Sequence, residues 1–470
     1  MTALPPGWTE ALVSDVAVDV CSGFASGRHN SEALGVPHLR PMNVNRLGQI
    51  DMSEVKYVAP DAGDRRLEYG DVLFNNTNSP ALVGKTAAYL HQAPAAFSNH
   101  MTRVRLADGV DPSFVARQLH HLWGAGELSR LISNHVNQAS IASSRLASDV
   151  QLRIAPTAEQ ERIVTAIDEA FSKLDAGDAG LRTVSQLLKR LRESIFGAAV
   201  SGCLVPQDPT DTPAEQLLTK REIQPVKMDD LPELPTGWSW AGLDSLNDPS
   251  RPICYGILKP GPNTPGGVPF VEVRSLRSGR IDPDSLPRAS AVIEAEFARS
   301  RLRPGDLTLA IRGTTGRVGI VPPSLTSGNV SRDCARIAPI TVSAEYLQVY
   351  IRGPIAQRFF AANVRGVAVK GINIGHLRQM PVALPPQEEQ ARIVAEIDRQ
   401  MSFVDACERA VGAGLARSTA LRRSVLKSAF EGRLVPQDPA DEPAFALLGR
   451  IRDAGTAGPQ PKRSRAGAKA

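Results

Sequence analysis

Pro156-Thr157-Ala158-Glu159-Gln160-Glu161-Arg162-Ile163-Val164 returns 230 residues later as Pro386-Gln387-Glu388-Glu389-Gln390-Ala391-Arg392-Ile393-Val394. Behind each block the apolar residues fall into a periodic series. In the first copy it runs Ile163, Ile167, Ala170, Leu174, Gly177, Leu181, Val184, Leu188, Leu191 and Ile195. The steps alternate four and three, which is the heptad spacing of a helix that buries one narrow stripe. Thr157 followed by Gln160 fits a capping box at the helix start. The second copy repeats the steps at Ile393, Ile397, Val404, Cys407, Val411, Leu421 and Val425, with Gln400, Gly414 and Ser418 in slots that want apolar residues. Each helix is expected to run at least 33 residues, about 50 Å at ~1.5 Å per residue. A lone helix of this kind is poorly stable in water, so it needs a partner. The economical partner is the other copy, running antiparallel, with Gly177 and Gly414 sharing one layer. The alternative is two separate helical packings. The assigned seam is Ile163, Ile167, Leu174, Leu181, Leu188, Leu191 and Ile195 against Ile393, Ile397, Val404, Val411, Leu421 and Val425.

Two further blocks share the offset of 230. Leu4-Pro5-Pro6-Gly7-Trp8 returns as Leu234-Pro235-Thr236-Gly237-Trp238, and Gly202-x-Leu204-Val205-Pro206-Gln207-Asp208-Pro209 returns as Gly432-x-Leu434-Val435-Pro436-Gln437-Asp438-Pro439. Three blocks at one offset make the chain a duplication. Between the anchors the copies diverge, and only a skeleton survives: Gly70-Asp71-Val72 against Gly305-Asp306-Leu307, Val83-Gly84 against Val318-Gly319, Ser140-Ile141 against Gly371-Ile372. The expected organisation is a variable domain over 1–155, a helix over 156–204, a linker over 205–233, a second variable domain over 234–385, a second helix over 386–434 and a C-terminal segment over 435–470 with a basic tail. Short β-rich stretches at 268–273 and 306–311 alternate with turns, and helices are expected near 112–133 and 343–362, so the variable domains read as α+β. Two domains at the ends of an antiparallel pair would stand far enough apart to span about 15 base pairs of duplex at ~3.4 Å each.

Charge is unevenly spread. Residues 15–155 carry 13 Lys/Arg and 13 Asp/Glu, whereas residues 249–380 carry 18 Lys/Arg, almost all arginine, against 8 Asp/Glu. Arginine excess on a folded domain suits a polyanion, because the guanidinium fork matches phosphate and guanine edges. Candidate DNA contacts in the first domain are Asn43, Asn45, Arg46, Asn75, Asn76, Asn78, Lys85, Asn134, Asn137 and Gln138. In the second they are Arg274, Arg277, Arg312, Thr314, Thr315, Arg317, Arg332, Arg365, Lys370 and Asn373. Amides pair with adenine, arginine with guanine and lysine with phosphate. The competing reading is that the asparagines only build turns.

A search for chemistry returns little. Val83-Gly84-Lys85-Thr86 resembles the end of a phosphate-binding loop, but Ser79 stands where its leading glycine belongs, and the second copy lacks the Lys-Thr. No hydrolase, zinc-protease or dinucleotide signature occurs. The five cysteines are scattered, and fit neither a disulfide framework nor a metal site. No apolar run of membrane length and no secretory leader is visible, so the expected location is the cytoplasm of a microbe.

The Leu-Pro-x-Gly-Trp opening, the Gly-Asp-(Val/Leu) strand with a later Val-Gly, the Glu-Gln-x-Arg-Ile-Val helix start and the Gly-x-Leu-Val-Pro-Gln-Asp-Pro exit together resemble the specificity subunits of type I restriction–modification systems. The resemblance covers nearly the whole chain in both halves. It implies an α+β fold in which two target-recognition domains are separated by two long antiparallel helices forming a coiled coil, with internal pseudo-twofold symmetry. It implies double-stranded DNA as ligand, each domain reading one half of an asymmetric, interrupted site, and helices that set the gap. The implied partners are two modification subunits, which dock on the helices and methylate adenine, and motor-nuclease restriction subunits. S-adenosylmethionine, ATP and Mg belong to those partners; this chain is expected to bind no cofactor and no metal, to have no catalytic residues and to touch no membrane. The tail carries Lys462, Arg463, Arg465 and Lys469 and reads as disordered. The rival expectations are a fused enzyme, which the missing motifs oppose, and a protein scaffold, which the arginine-rich second domain opposes.

Overall fold

The computed structural model describes residues 4–61, 63, 65–136, 138–218, 231–276, 279–366 and 370–456. Asn137, Arg277, part of the linker and the basic tail lie outside them. The chain divides into two compact units, Met1–Leu181 with Ala413–Ala470, and Arg182–Gly412.

The duplication holds at the level of topology. Unit 1 carries a four-stranded antiparallel sheet in the order Ala17–Ser22, Met101–Leu106, Asp71–Asn75, Thr86–Tyr89. Unit 2 carries Cys254–Tyr255, Cys334–Ile337, Leu307–Ala310, Val318–Ile320 in the matching order. The central strands are buried on both faces, as the run of apolar side chains in Asp71–Asn75 and Leu307–Ala310 requires. Beside each lies a three-stranded sheet with one parallel pair: Val36–Leu39 with Ala96–Phe97, and Val268–Val271 with Asn329–Val330. A two-stranded ribbon ties the start of each domain to its end, Thr9–Leu12 on Gln151–Ile154 and Ser239–Gly242 on Pro381–Leu384. The expected helix near 112–133 is Pro112–Gly124 and then a 3-10 turn. The one near 343–362 is split by Gly353 and Pro354 into Ala344–Arg352 and Pro354–Asn363, because proline removes the donor that would continue the helix.

The two long helices are Thr157–Val200 and Gln387–Phe430, 44 residues each. Their starts show what the Glu-Gln motif does. Thr157 is the first helical residue and its hydroxyl donates to Gly109 O (3.0 Å), so the expected capping box is absent. Gln160 reaches elsewhere: it accepts from Asp111 N (2.9 Å) and donates to Ala155 O (2.8 Å), pinning the N-terminus of the Pro112–Gly124 helix to the long helix. Gln390 repeats this with Ser343 N (2.8 Å) and Pro385 O (3.1 Å). The neighbouring Glu389 is buried and accepts from Trp238 Nε1 (2.9 Å) and Gln207 Nε2 (2.7 Å), so entry block, helix start and exit block converge on one carboxylate. In unit 1, Gln437 of the second exit block donates to Glu159, and Arg162 pairs with Asp441 (2.6 Å). Arg392 pairs with Asp211 in unit 2.

Within unit 1 the first half of one long helix runs antiparallel to the last part of the other. Arg422 contacts Asp175 and Asp178, and further along a Cβ built on Gly414 would meet Leu181 at 2.9 Å. Unit 2 repeats the arrangement with Arg192 on Asp405 and Glu408. Ile163, Ile167, Leu188, Ile195, Ile393, Ile397, Val404 and Val411 are buried, and Leu174, Leu181 and Val425 are half-buried. Leu191 and Leu421, assigned to the seam, are instead 41% and 44% exposed. Their slots belong to Arg192 and Arg422. A straight helix turns every 3.6 residues, so a 3.5-residue series drifts by about 20° per heptad and leaves the interface. Phe171, next to Ala170, is buried as well. Gly177 is open, so only Gly414 permits the close approach expected of both.

Arg422 is nearly buried and lies over the Phe171 ring, its guanidinium 5.2 Å from the centroid, while the side chain of Arg192 is 27% exposed. Removing one partner of a buried pair strands the other charge. Arg422→Ala is therefore expected to lower unfolding stability by about 2 kcal/mol, more than Arg192→Ala. Urea unfolding of the two variants checks the order; equal losses would contradict it.

Candidate nucleic-acid interface

In unit 2 the arginines sort into two kinds. Arg251 is locked on Asp306 (2.6 Å), Arg301 on Glu294 (2.8 Å), and Arg336 is buried with Pro252 O as acceptor (2.7 Å). These hold the fold. Others line two adjoining hollows that share Arg332 and Asp333. The first is bounded by Arg312, Thr314, Arg365, Gly371 and Asn373; the second by Lys259, Phe270, Glu272 and Arg274. Arg312 and Arg332 approach the Asp333 carboxylate at 3.9 and 3.7 Å, beyond direct hydrogen bonding, so their forks stay available. The backbone beneath is fixed: Ile311 N and Arg312 N both donate to Asp333 O (2.9 and 3.3 Å), and Gly313 N donates to Lys370 O (3.0 Å). The result is a concave, arginine-edged surface on a rigid sheet end.

The other sequence candidates of unit 2 fall around this surface. Asn373 caps a short helix by accepting from Gly375 N (2.9 Å), and Arg365 donates to Ala362 O (2.6 Å). Arg274 is exposed and paired with Glu272; Lys370 is exposed. Thr315 is half-buried with its hydroxyl unpartnered among the described residues, and Arg317 is half-buried. Arg277 is not among the described residues. Asp333 and Lys259 were missed by sequence reading, since a lone acid in a basic stretch looks like simple charge compensation.

Unit 1 corrects several expectations. Asn43 is buried and spends its amide on Arg40 N, Asp51 O and Glu54 O. Asn75 is buried and donates to Pro41 O (3.0 Å); Asn76 is buried and donates to Thr102 Oγ1 (3.0 Å) and Asn99 O (3.2 Å). Lys85 is buried too, its ammonium on the carbonyls of Pro41 and Val44, with burial first and Arg46 second pulling its pKa below the ordinary value. These four build the domain and cannot reach a ligand. The Lys85 contacts also explain the false phosphate-loop pattern: the lysine caps a turn from inside. Asn45 makes a turn with Leu47 N and Gln49 N, and Asn78 accepts from Ser79 N, so both serve loop geometry. Arg46, Asn134 and Gln138 are exposed, and Asn137 is not among the described residues. Among the described residues no group of three or more His, Cys, Asp or Glu is placed to hold a metal ion. None of their helices is long and apolar enough to cross a membrane.

The family described as "Type I restriction modification DNA specificity domain" matches residues 262–406. The EcoBI type I restriction enzyme specificity subunit of Escherichia coli is 32% identical over 66% of this chain and 65% of its own length, slightly under two thirds. The EcoKI specificity subunit of Escherichia coli K12 is 25% identical over 96% of both chains, and the StySPI subunit of Salmonella potsdam is 22% identical over 96% of both. Among solved structures, one from work on assembly and conformational transition of the type I R-M system aligns with TM-score 0.64 at 19% identity, covering 92% of this chain and 100% of that one. The HsdS subunit from Thermoanaerobacter tengcongensis aligns with TM-score 0.51 at 18% identity, covering 92% of this chain and 98% of that one.

Buried histidines separate the two units in their response to acid. His38 is 1% exposed and burial, then His29, holds its imidazole down at about 4; burial likewise holds His120 at about 4. An unfolded chain takes these protons near ~6.5 and the folded unit refuses them until about 4. Stability is therefore intact above ~6.5 and is lost as pH falls toward 4, on the order of 2 kcal/mol per histidine at pH 5. Unit 2 contains one histidine, His376. Hydrogen exchange at pH 7 and pH 5 should show unit 1 loosening well before unit 2, and equal loosening would contradict this.

Proposed function

This chain belongs to the family of type I restriction–modification DNA specificity subunits, and we propose that it is the non-catalytic sequence reader of such a complex. Each unit reads one half of an asymmetric, interrupted site in double-stranded DNA. The observation that carries this reading is the repeated frame itself. Two topologically matched domains stand on matched helix starts, yet differ in the residues around the reading surface, so one scaffold presents two chemistries. Arginine forks at unit 2's hollows suit phosphate oxygens and guanine edges. The long helices separate the two readers and fix the gap between half-sites, and they dock two modification subunits. S-adenosylmethionine and ATP with Mg are used by the modification and restriction subunits, and the methyl acceptor is adenine.

The test is geometric. Inserting four residues, about one helical turn, after Leu188 should lengthen the gap and leave both half-sites unchanged when the complex is assayed on duplexes of graded spacing. Replacing residues 234–385 with the corresponding domain of a relative should change one half-site only. Altered half-sites with an unchanged gap, or a swap that changes both halves, would contradict the reading.

A further inference from the structure

The backbone frame beneath the unit 2 hollows recurs in unit 1 bond for bond. Ile311 N and Arg312 N on Asp333 O correspond to Asn76 N and Thr77 N on His100 O (3.1 and 3.2 Å). Arg332 N on Ile257 O (2.8 Å) corresponds to Asn99 N on Phe24 O (3.1 Å), and Ile372 N on Ile311 O (2.8 Å) to Ile141 N on Asn76 O (2.8 Å). Ser331 bridges Ile257 in parallel as Ser98 bridges Phe24. The Arg312–Gly371 and Arg365–Gly371 bridges match the pairs Thr77–Ser140 and Ser133–Ser140. Matched by hydrogen bonding, Arg312, Arg332, Asp333 and Arg365 stand where unit 1 has Thr77, Asn99, His100 and Ser133.

The frame is constant and the chemistry is opposite. Unit 2 presents guanidinium forks around a carboxylate that accepts no short hydrogen bond among the described residues and is 38% exposed. Unit 1 presents an amide, hydroxyls and an imidazole, with Asn99 exposed and His100 half-buried. A guanidinium fork fits guanine O6 and N7, a carboxylate accepts from the cytosine amino group, and an asparagine amide fits adenine N6 and N7. Because the turn's backbone is tied at Arg332 N, Asp333 O and Cys334 N, and in unit 1 at Asn99 N, His100 O and Met101 N, these side chains project from a preorganised base.

Resting on the DNA-reader function above, we propose that this turn is the base-reading element of each unit. Arg332 and Asp333 read a G·C pair in the half-site of unit 2, and Asn99 at the equivalent place reads an A·T pair in the half-site of unit 1. The sequence repeat hides this equivalence, since the two turns are offset by 233 residues and share only the serine.

The experiment uses the full chain in complex with its modification subunit. Binding is measured to duplexes carrying the wild-type site and each single-pair substitution of it, at two salt concentrations. Arg332→Gln should lose roughly ten- to hundredfold discrimination at one G·C pair of the unit 2 half-site, and leave the other half and the gap unchanged. Arg332→Lys keeps the charge without the fork and should lose the same discrimination with a smaller drop in overall affinity. The graft Asn99→Arg with His100→Asp should convert one A·T preference of the other half to G·C. Uniform weakening on all duplexes with a shallower salt dependence would make Arg332 a phosphate contact and overturn the assignment. Preferences unmoved by Arg332→Gln would overturn it alone. A wild-type complex that recognises no two-part site would overturn the functional reading and the assignment with it.

Discussion

Neither long helix can stand by itself. A helix whose buried stripe is two residues in seven has too little apolar surface to persist in water, so each must lie along another. That constraint organises each unit, in which a segment of the first helix is covered by a distant segment of the second. The same constraint explains the arginines at Arg192 and Arg422. A charged residue is tolerated in the stripe because two acids on the facing helix meet it, and in unit 1 the Phe171 ring also covers it. The arrangement repeats at the 230-residue offset, with Asp175 and Asp178 matched by Asp405 and Glu408.

The helix starts carry the second half of the organisation. Gln160 and Gln390 use one side chain to hold the recognition domain's helix and the chain just before the long helix. Glu389 collects the entry tryptophan and the exit glutamine. The motif residues are therefore joints. Rigid joints under a variable surface allow the surface to be replaced without dismantling the frame.

Much of this was legible in the sequence because a duplication announces itself. Identical blocks at one offset place the long helices and the two-part design before any contact is known. The face of the helix was less legible. A heptad series put Leu191 and Leu421 inside, and the extra tenth of a residue per turn moved arginines there instead. The reading surface was the least legible. Asn43, Asn75, Asn76 and Lys85 carry the chemistry of base and phosphate contact, yet they are buried and the hydrogen bonds they make stay inside the domain. Residue type reports what a side chain can bond to, and only the fold decides whether that bond is made to the protein or left for a ligand. In unit 2, Arg312, Arg332 and Arg365 line one hollow, and the sequence draws attention to them because so many arginines in one domain exceed what its acids can neutralise.

The most direct test of the account is a genome-wide map of methylated adenine in a methylation-free host that expresses this chain with its modification subunit. The account predicts one two-part motif with a fixed gap and different sequences in its two halves. An assembled, DNA-binding complex that leaves no such motif, or one that marks a single uninterrupted sequence, would contradict it.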